Sequence, residues 1–207
     1  MSTNKRGLVY LIRGDGKGKT SSAVGIMVRS LAIKKKVSWI SWYKNEDWSI
    51  GENKLKGMLS PQYNKYLSMY WMGKGFFLKN STNEIKIGRR SIKIEPVGKL
   101  GFVVTDTESS EIHSAAAKQA LVLARAILKE KKDYLLVLDE ILNAVADELI
   151  TQEEVFSLIK LRGLTNIVLT GRGIYPKLEK VVNLISDIQK IKHPYDVGQL
   201  AVPGLDF

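Results

Sequence analysis

The sequence contains no cysteine, which excludes a disulfide framework, a thiolate metal site and a cysteine nucleophile. Histidine is nearly as scarce: His113 and His193 are the only two, too few for a His-rich metal site, and each reads as structural. Long hydrophobic runs are missing as well. The run Leu8 to Ile12, behind the short basic segment Met1 to Arg6, falls far short of a signal-peptide core or a membrane span. The expectation is a protein with no membrane attachment, located in the cytoplasm. No internal repeat or low-complexity tract is visible, and no recognition-helix or RNA-binding signature accompanies the basic charge.

What is present suits one sizeable core. The 207 residues are 44% apolar and 26% charged, which predicts a single globular domain over 1–207 with an elaborated segment at 44–107. The net charge of +11, from 32 Lys and Arg against 21 Asp and Glu, fits an anionic partner such as a nucleotide. The lysines are scattered in groups such as Lys34-Lys35-Lys36, as solvated lysines at helix ends are.

Leu8-Val9-Tyr10-Leu11-Ile12 is continuously apolar and runs into glycines, the pattern of a strand buried on both faces of a parallel sheet. Val24, Met27, Val28, Leu31 and Ala32 then recur at spacings of three and four, predicting a helix over about 19–33. Val37 to Tyr43 reads as the next strand, and strand, glycine loop, helix, strand is one βαβ unit. Ile85 to Ile87 and Ile92 to Ile94 alternate across a Gly-Arg-Arg-Ser turn and predict a β-hairpin over 84–95. A helix is expected over about 111–131 with Ser109 or Ser110 as its cap and Ile112, Ala116, Ala120, Leu123, Ile127 and Leu128 on its buried face. Tyr134 to Leu138, Asn166 to Thr170 and a segment near Ile185 to Ile191 complete the strands. A capping box at Thr151-Gln152-Glu153-Glu154 opens a further helix through Leu161, and a short helix lies near Lys177 to Val182. This alternation predicts a doubly wound, mostly parallel α/β sheet of the P-loop NTPase (RecA-like) kind with a β-hairpin insertion.

The segment Gly14-Asp15-Gly16-Lys17-Gly18-Lys19-Thr20-Ser21 carries the chemistry. Bound phosphates need converging backbone N–H groups with a helix N-terminus behind them. The glycines permit the close approach, Lys19 reaches phosphate oxygens, and the Thr20 hydroxyl is placed for Mg²⁺. The general pattern would put a glycine where Arg13 stands. Asp139 and Glu140 close a buried strand, where an acidic residue orders the metal; Asp139 also reads as a helix N-cap, and one carboxylate can cap while the other faces the metal. Arg172, after another buried strand, is placed to neutralise charge on a leaving group.

On four segments the chain resembles the P-loop type of ATP:corrinoid (cob(I)alamin) adenosyltransferases. They are Arg13 to Thr20, Val137-Leu138-Asp139-Glu140-Ile141, Val168-Leu169-Thr170-Gly171-Arg172-Gly173, and the tail from Lys192-His193-Pro194-Tyr195-Asp196-Val197-Gly198 to Phe207. The resemblance implies attack by Co(I) of a corrinoid on the 5′ carbon of ATP, with the triphosphate departing whole. It implies phosphate binding by Gly16 to Ser21, catalytic roles for Lys19 and Arg172, and Mg²⁺ held by Thr20 and Glu140. It further implies an electron donor such as a reduced flavoprotein, and a homodimer. The family's Met-Gly-x-Gly-Phe-Thr-Trp segment is matched by Met72-Gly73-Lys74-Gly75-Phe76-Phe77-Leu78, so Phe76 and Leu78 are the corrinoid-facing candidates, with Leu78 in place of Trp and Gly101-Phe102 as a second match. Asp15 stands where the family has Asn. Two other readings stay open: an ATP- and corrinoid-binding regulatory or carrier module without turnover, and a P-loop NTPase acting on nucleic acid.

Overall fold

Apolar runs that end at a glycine or an acid become strands, and the amphipathic stretches between them become the helices that cover the sheet. A computed structural model describes residues 6–45, 50–74, 84–87, 90–96, 103–106, 108–199 and 201–205. Phe76, Leu78, Gly101-Phe102 and the last two residues of the tail lie outside them.

Five of the six main strands and the glycine-loop helix follow the sequence closely: β1 (Val9–Arg13), α1 (Lys19–Ala32) and β2 (Val37–Ser41) form the expected βαβ unit. Then come two helices without a strong sequence signal, α2 (Gly51–Met58) and α3 (Pro61–Asn64), and β3 (Leu67–Trp71), a strand that its mixed polarity does not announce. The predicted hairpin is present as β4 (Glu84–Ile87) and β5 (Arg90–Pro96), antiparallel with Ile85 opposite Ile92, and β6 (Val103–Asp106) extends it to three strands. Order continues through α4 (Ser110–Glu130), β7 (Leu135–Asp139), α5 (Ile141–Ala146), α6 (Gln152–Leu161), β8 (Asn166–Gly171), α7 (Pro176–Glu179) and β9 (Leu184–Asp187).

The main sheet has the order β3-β2-β7-β8-β1-β9, and every pairing in it is parallel. Alternation along each strand sends side chains to two separate cores. Val9, Leu11, Ile40, Leu136, Leu138, Ile167 and Leu169 face α4, α5 and α6. Ile12, Val37, Trp39, Leu135, Val137 and Val168 face α1. Helices therefore cover both faces, as a doubly wound sheet requires.

Helix faces differ in detail from the periodicity. The buried side of α4 is His113, Ala116, Ala117, Ala120, Leu121, Ala124 and Leu128, whereas Ile112 is exposed. The small alanines let α4 approach the sheet closely, and that packing outranks the larger residues one step around the helix. On α1 the buried set is Ala23, Met27, Ser30 and Leu31, with Val28 exposed, for the same reason. The predicted caps hold: the Ser109 hydroxyl accepts from Ile112 N, and Thr151 with Glu154 forms both halves of a capping box. Among the described residues, no helix is long and apolar enough to cross a membrane.

Candidate nucleotide and metal site

In a parallel sheet all carboxyl ends lie on one edge, and loops leaving that edge gather whatever the strands end on. Here they gather the glycine loop after β1, Ser41 to Lys44 after β2, Met72-Gly73 after β3, Asp139-Glu140 at β7 and Thr170 to Gly173 at β8.

The loop 14–18 rests against the segment after β9. Gly16 N donates to Ile188 O at 2.8 Å, and Gly14 has φ of 118° where an added Cβ would stand 2.2 Å from Ile188 O. Only glycine meets both the torsion and the approach. Asp15, exposed beside the loop, accepts from Lys190 N at 3.1 Å, and this bond holds its carboxyl below the usual range. The acid that replaces the family's Asn thus ties the loop to the segment after β9. Arg13, in place of the missing glycine, pairs with Glu179 of α7 and with Asp187 of β9 at 3.1 Å. It is the last residue of β1 and lies opposite Asp187 in register, so the position serves the sheet edge and not the phosphates.

α1 begins on Gly18 with no side-chain cap and no acid in its first turn. α4 and α6, by contrast, are capped by Ser109 and Thr151. An uncapped helix start aimed from a glycine loop is an anion site. Lys19, half-buried, folds onto the loop and donates from Nζ to Gly16 O at 2.7 Å. Burial pushes its pKa down, and the Arg172 charge pushes it further. Arg172 is therefore within electrostatic range of Lys19, on an exposed turn whose backbone N–H donates to Asn143 Oδ1 at 2.8 Å. Lys17 and Ser21 are exposed at the same end.

Asp139 and Glu140 have different surroundings. Asp139 is fully buried, and donors meet both its oxygens. Oδ1 accepts from Thr20 Oγ1 at 3.1 Å and Thr170 Oγ1 at 2.7 Å; Oδ2 accepts from Lys44 Nζ at 2.9 Å and Ser41 Oγ at 3.4 Å. Glu140 has φ of 63° at the start of α5, and its backbone N–H donates to Thr170 Oγ1 at 2.8 Å. No described residue donates a hydrogen bond to its carboxylate, which burial and the Asp139 charge push up to about 7. A carboxylate to which no described residue donates, next in the chain to the acid that Thr20 contacts and within electrostatic range of Lys19, fits a hard cation delivered with a nucleotide. Mg²⁺ usually takes one or two protein oxygens and completes its shell with phosphates and water. The described residues contain no cluster of three or more His, Cys, Asp or Glu side chains that could hold a metal.

Lys44, Ser41, Thr170 and Glu52 were not singled out from the sequence. Lys44 Nζ lies 3.3 Å from Glu52 Oε1 as well as 2.9 Å from Asp139 Oδ2. Burial alone would push the Lys44 ammonium down; Asp139, Glu140 and Glu52 outweigh it and raise its pKa. The available signal was position, because Ser41 and Lys44 follow a fully buried strand and Thr170 closes another. Of the remaining candidates, His113 lies on the buried face of α4 and His193 in the tail, away from this cluster in sequence and element.

An all-parallel six-stranded sheet, a glycine loop running into an uncapped helix and an acidic strand end touching Thr20 together define a P-loop nucleotide-binding protein. Comparison with known proteins narrows this. The model of the family described as ATP:corrinoid adenosyltransferase BtuR/CobO/CobP matches residues 5–84 and 75–207, and the chain belongs to that family. A corrinoid adenosyltransferase of Escherichia coli K12 is 25% identical over 205 residues, covering 99% of this chain and 87% of the relative. The corrinoid adenosyltransferase CobA of Salmonella typhimurium LT2 is 26% identical over 204 residues, covering 98% and 87%. One from Pseudomonas aeruginosa PAO1 is 25% identical over 205 residues, covering 99% and 85%. Among solved structures, the assembled ATPase EscN in complex with its central stalk EscO, of an enteropathogenic E. coli type III secretion system, aligns with a TM-score of 0.44 at 10% identity. That alignment covers 88% of this chain and 42% of the other.

Proposed function

We propose that this chain transfers the 5′-deoxyadenosyl group of ATP to the Co(I) centre of a corrinoid and releases triphosphate. The observation that carries the reading is the uncapped start of α1 beside the Thr20–Asp139 contact, in a chain that belongs to the ATP:corrinoid adenosyltransferase family along its length. The cobalt electron pair forms the Co–C5′ bond as the C5′–O bond breaks, and that bond's pair leaves with the triphosphate. Cobalt goes from Co(I) to Co(III), and no proton leaves the nucleophile, so no general base is required.

The residues then divide by task. Gly14 to Ser21 hold the triphosphate, the group on which negative charge accumulates, so these contacts strengthen toward the transition state. Lys19 leaves Gly16 O for phosphate oxygens, and Arg172 neutralises the departing chain from the β8 turn. Thr20 and Glu140 are the ligands for Mg²⁺, with Asp139 holding the Thr20 hydroxyl in place. When bound, Mg²⁺ supplies charge neutralisation to the leaving phosphates. Phe76 and Leu78, outside the described residues, are the candidates for binding the corrinoid. The reading extends to a cytoplasmic homodimer served by a one-electron donor such as a reduced flavoprotein.

Leu78 in place of the family's Trp favours a second reading, a module that binds ATP and corrinoid without turnover. An anaerobic assay with ATP, Mg²⁺ and chemically reduced cobalamin separates the two by the absorbance change as the Co–C bond forms. Adenosylcobalamin with intact triphosphate supports transfer. Tight binding of both ligands without product supports the module, and ATP hydrolysis to ADP stimulated by DNA or RNA would sink both.

A further inference from the structure

A buried lysine at the sheet's carboxyl edge joins the two halves of the site. Lys44 is 9% exposed. Its Nζ is 2.9 Å from Asp139 Oδ2 and 3.3 Å from Glu52 Oε1 of α2. On the far side of Asp139, Oδ1 accepts from Thr20 Oγ1 at 3.1 Å. The backbone of the same turn is bound in the other direction. Lys44 O accepts from Gly73 N at 3.1 Å, and Ser41 O accepts from Met72 N at 3.0 Å. Gly73 packs so closely that an added Cβ would stand 2.0 Å from the carbonyl carbon of Tyr43. The contacts run unbroken from Thr20 through Asp139 and Lys44 to Gly73, two residues past the end of β3.

A buried ion pair is a weak device for stability, because desolvating both charges offsets much of their attraction. Its value lies in fixing geometry, since the charged partners tolerate few arrangements. We infer that Lys44 is a positioning residue that couples the Thr20–Asp139 end of the nucleotide site to the Met72-Gly73 turn after β3. The inference rests on the adenosyl-transfer reading only for what the second segment binds. The coupling is a property of the fold, and it implies that loading one end is felt at the other.

Of the four tryptophans, Trp39 lies in β2, Trp42 just after it and Trp71 at the end of β3, on the side of the sheet that β7 and β8 separate from β1. Trp71, next to Met72, reports on the far end, whereas Trp39 Nε1 donates to Ser41 Oγ at 2.9 Å beside Asp139 and reports on the acid, so the emission is read in a chain carrying Trp39→Phe. With Lys44 in place MgATP changes this emission. In Lys44→Met the change falls at least about fivefold, while ATP affinity without Mg²⁺, measured by calorimetry, stays within about twofold because the phosphate loop is untouched. Lys44→Arg, which keeps a charge on Asp139, recovers part of the signal. If Lys44→Met leaves Asp139 unpaired and fails to fold, the Lys44→Met/Asp139→Asn pair removes the stranded charge and is read in its place.

In turnover the loss is expected on both sides, because coupling is reciprocal: the apparent affinity for the corrinoid at saturating MgATP and for MgATP at saturating corrinoid each fall by up to about tenfold, while either ligand alone binds within about twofold of wild type. An undiminished fluorescence response in the folded variant overturns the inference. So does a loss of emission change, ATP affinity and melting temperature all together, which marks a merely structural lysine. A wild-type chain that makes no adenosylated corrinoid overturns the proposed function instead, and the fluorescence and calorimetry still decide the coupling.

Discussion

Arg13 is a departure from the phosphate-loop pattern whose reason is visible only in three dimensions. Its guanidinium meets Glu179 and Asp187, two carboxylates that a glycine would leave facing each other. Arg13→Gly, although it restores the general pattern, is expected to destabilise the fold by about 1–3 kcal/mol, since removing one partner of a part-buried charged hydrogen bond strands the other. Urea unfolding midpoints check this, with ATP affinity retained. Asp15 makes a different case. The Lys190 N–H bond lowers its carboxyl pKa in the folded chain, so its contribution is present above the unfolded value of about 4 and is lost as pH falls through the lower folded value. Asp15→Asn should therefore differ from wild type in unfolding midpoint at neutral pH, and the gap should close as pH drops below about 4. A gap that persists at low pH assigns the difference to something other than the ionised carboxylate.

Elements differ in how much their own residues settle. α6 is specified locally: Thr151 N donates to Glu154 Oε2 at 2.8 Å, and Glu154 N donates to Thr151 Oγ1 at 3.2 Å. Thr151→Ala is expected to cost about 1 kcal/mol, the usual value of an N-cap, with no change in nucleotide affinity because the box lies at the start of α6 and not at the glycine loop. An ATP affinity that moves with it would mean α6 communicates with the site. α1 is the opposite kind of helix. Its start is left without a side-chain cap, so its first amides depend on a ligand. β3 and α5 lie between these extremes. β3 is recruited by pairing with β2 from Val37–Leu67 to Ser41–Trp71, and α5 by burial of Ile141, Leu142 and Ala144 against the sheet, neither of which has a local signature strong enough to announce it.

For the whole molecule, a ligand that binds the folded chain alone raises its stability by mass action, about 2.7 kcal/mol at a concentration one hundred times Kd. MgATP is expected to raise the melting temperature, chelation of Mg²⁺ to remove part of that gain, and Lys19→Ala to abolish it without lowering the ligand-free melting temperature. Thermal scans with and without nucleotide read all three. A ligand-free Lys19→Ala protein that melts well below wild type would show that the Lys19 bond to Gly16 O is needed for folding as well as for phosphate. The basic surplus of +11 acts at this scale too, as a field that draws anionic substrates and weakens with added salt.

What the sequence determined by itself was everything carried by short-range pattern. Continuous apolar runs identified β1, β7 and β8, the glycines and Lys19-Thr20 marked the phosphate loop, and Thr151 to Glu154 marked a helix start, because each signal is complete within a few residues. The tail and the Gly171-Arg172-Gly173 turn added the family resemblance that the comparisons bear out. Only the tertiary structure decided what depends on residues far apart in the chain. It separated Asp139 from Glu140, neighbours with the same charge, by closing four donors from three segments around the first, while no described residue donates to the carboxylate of the second. It also chose the alanine face of α4 over its larger neighbours, and it brought Lys44 to Asp139 across 95 residues of sequence. Such pairings are set by strand order and close packing, and no local periodicity encodes them.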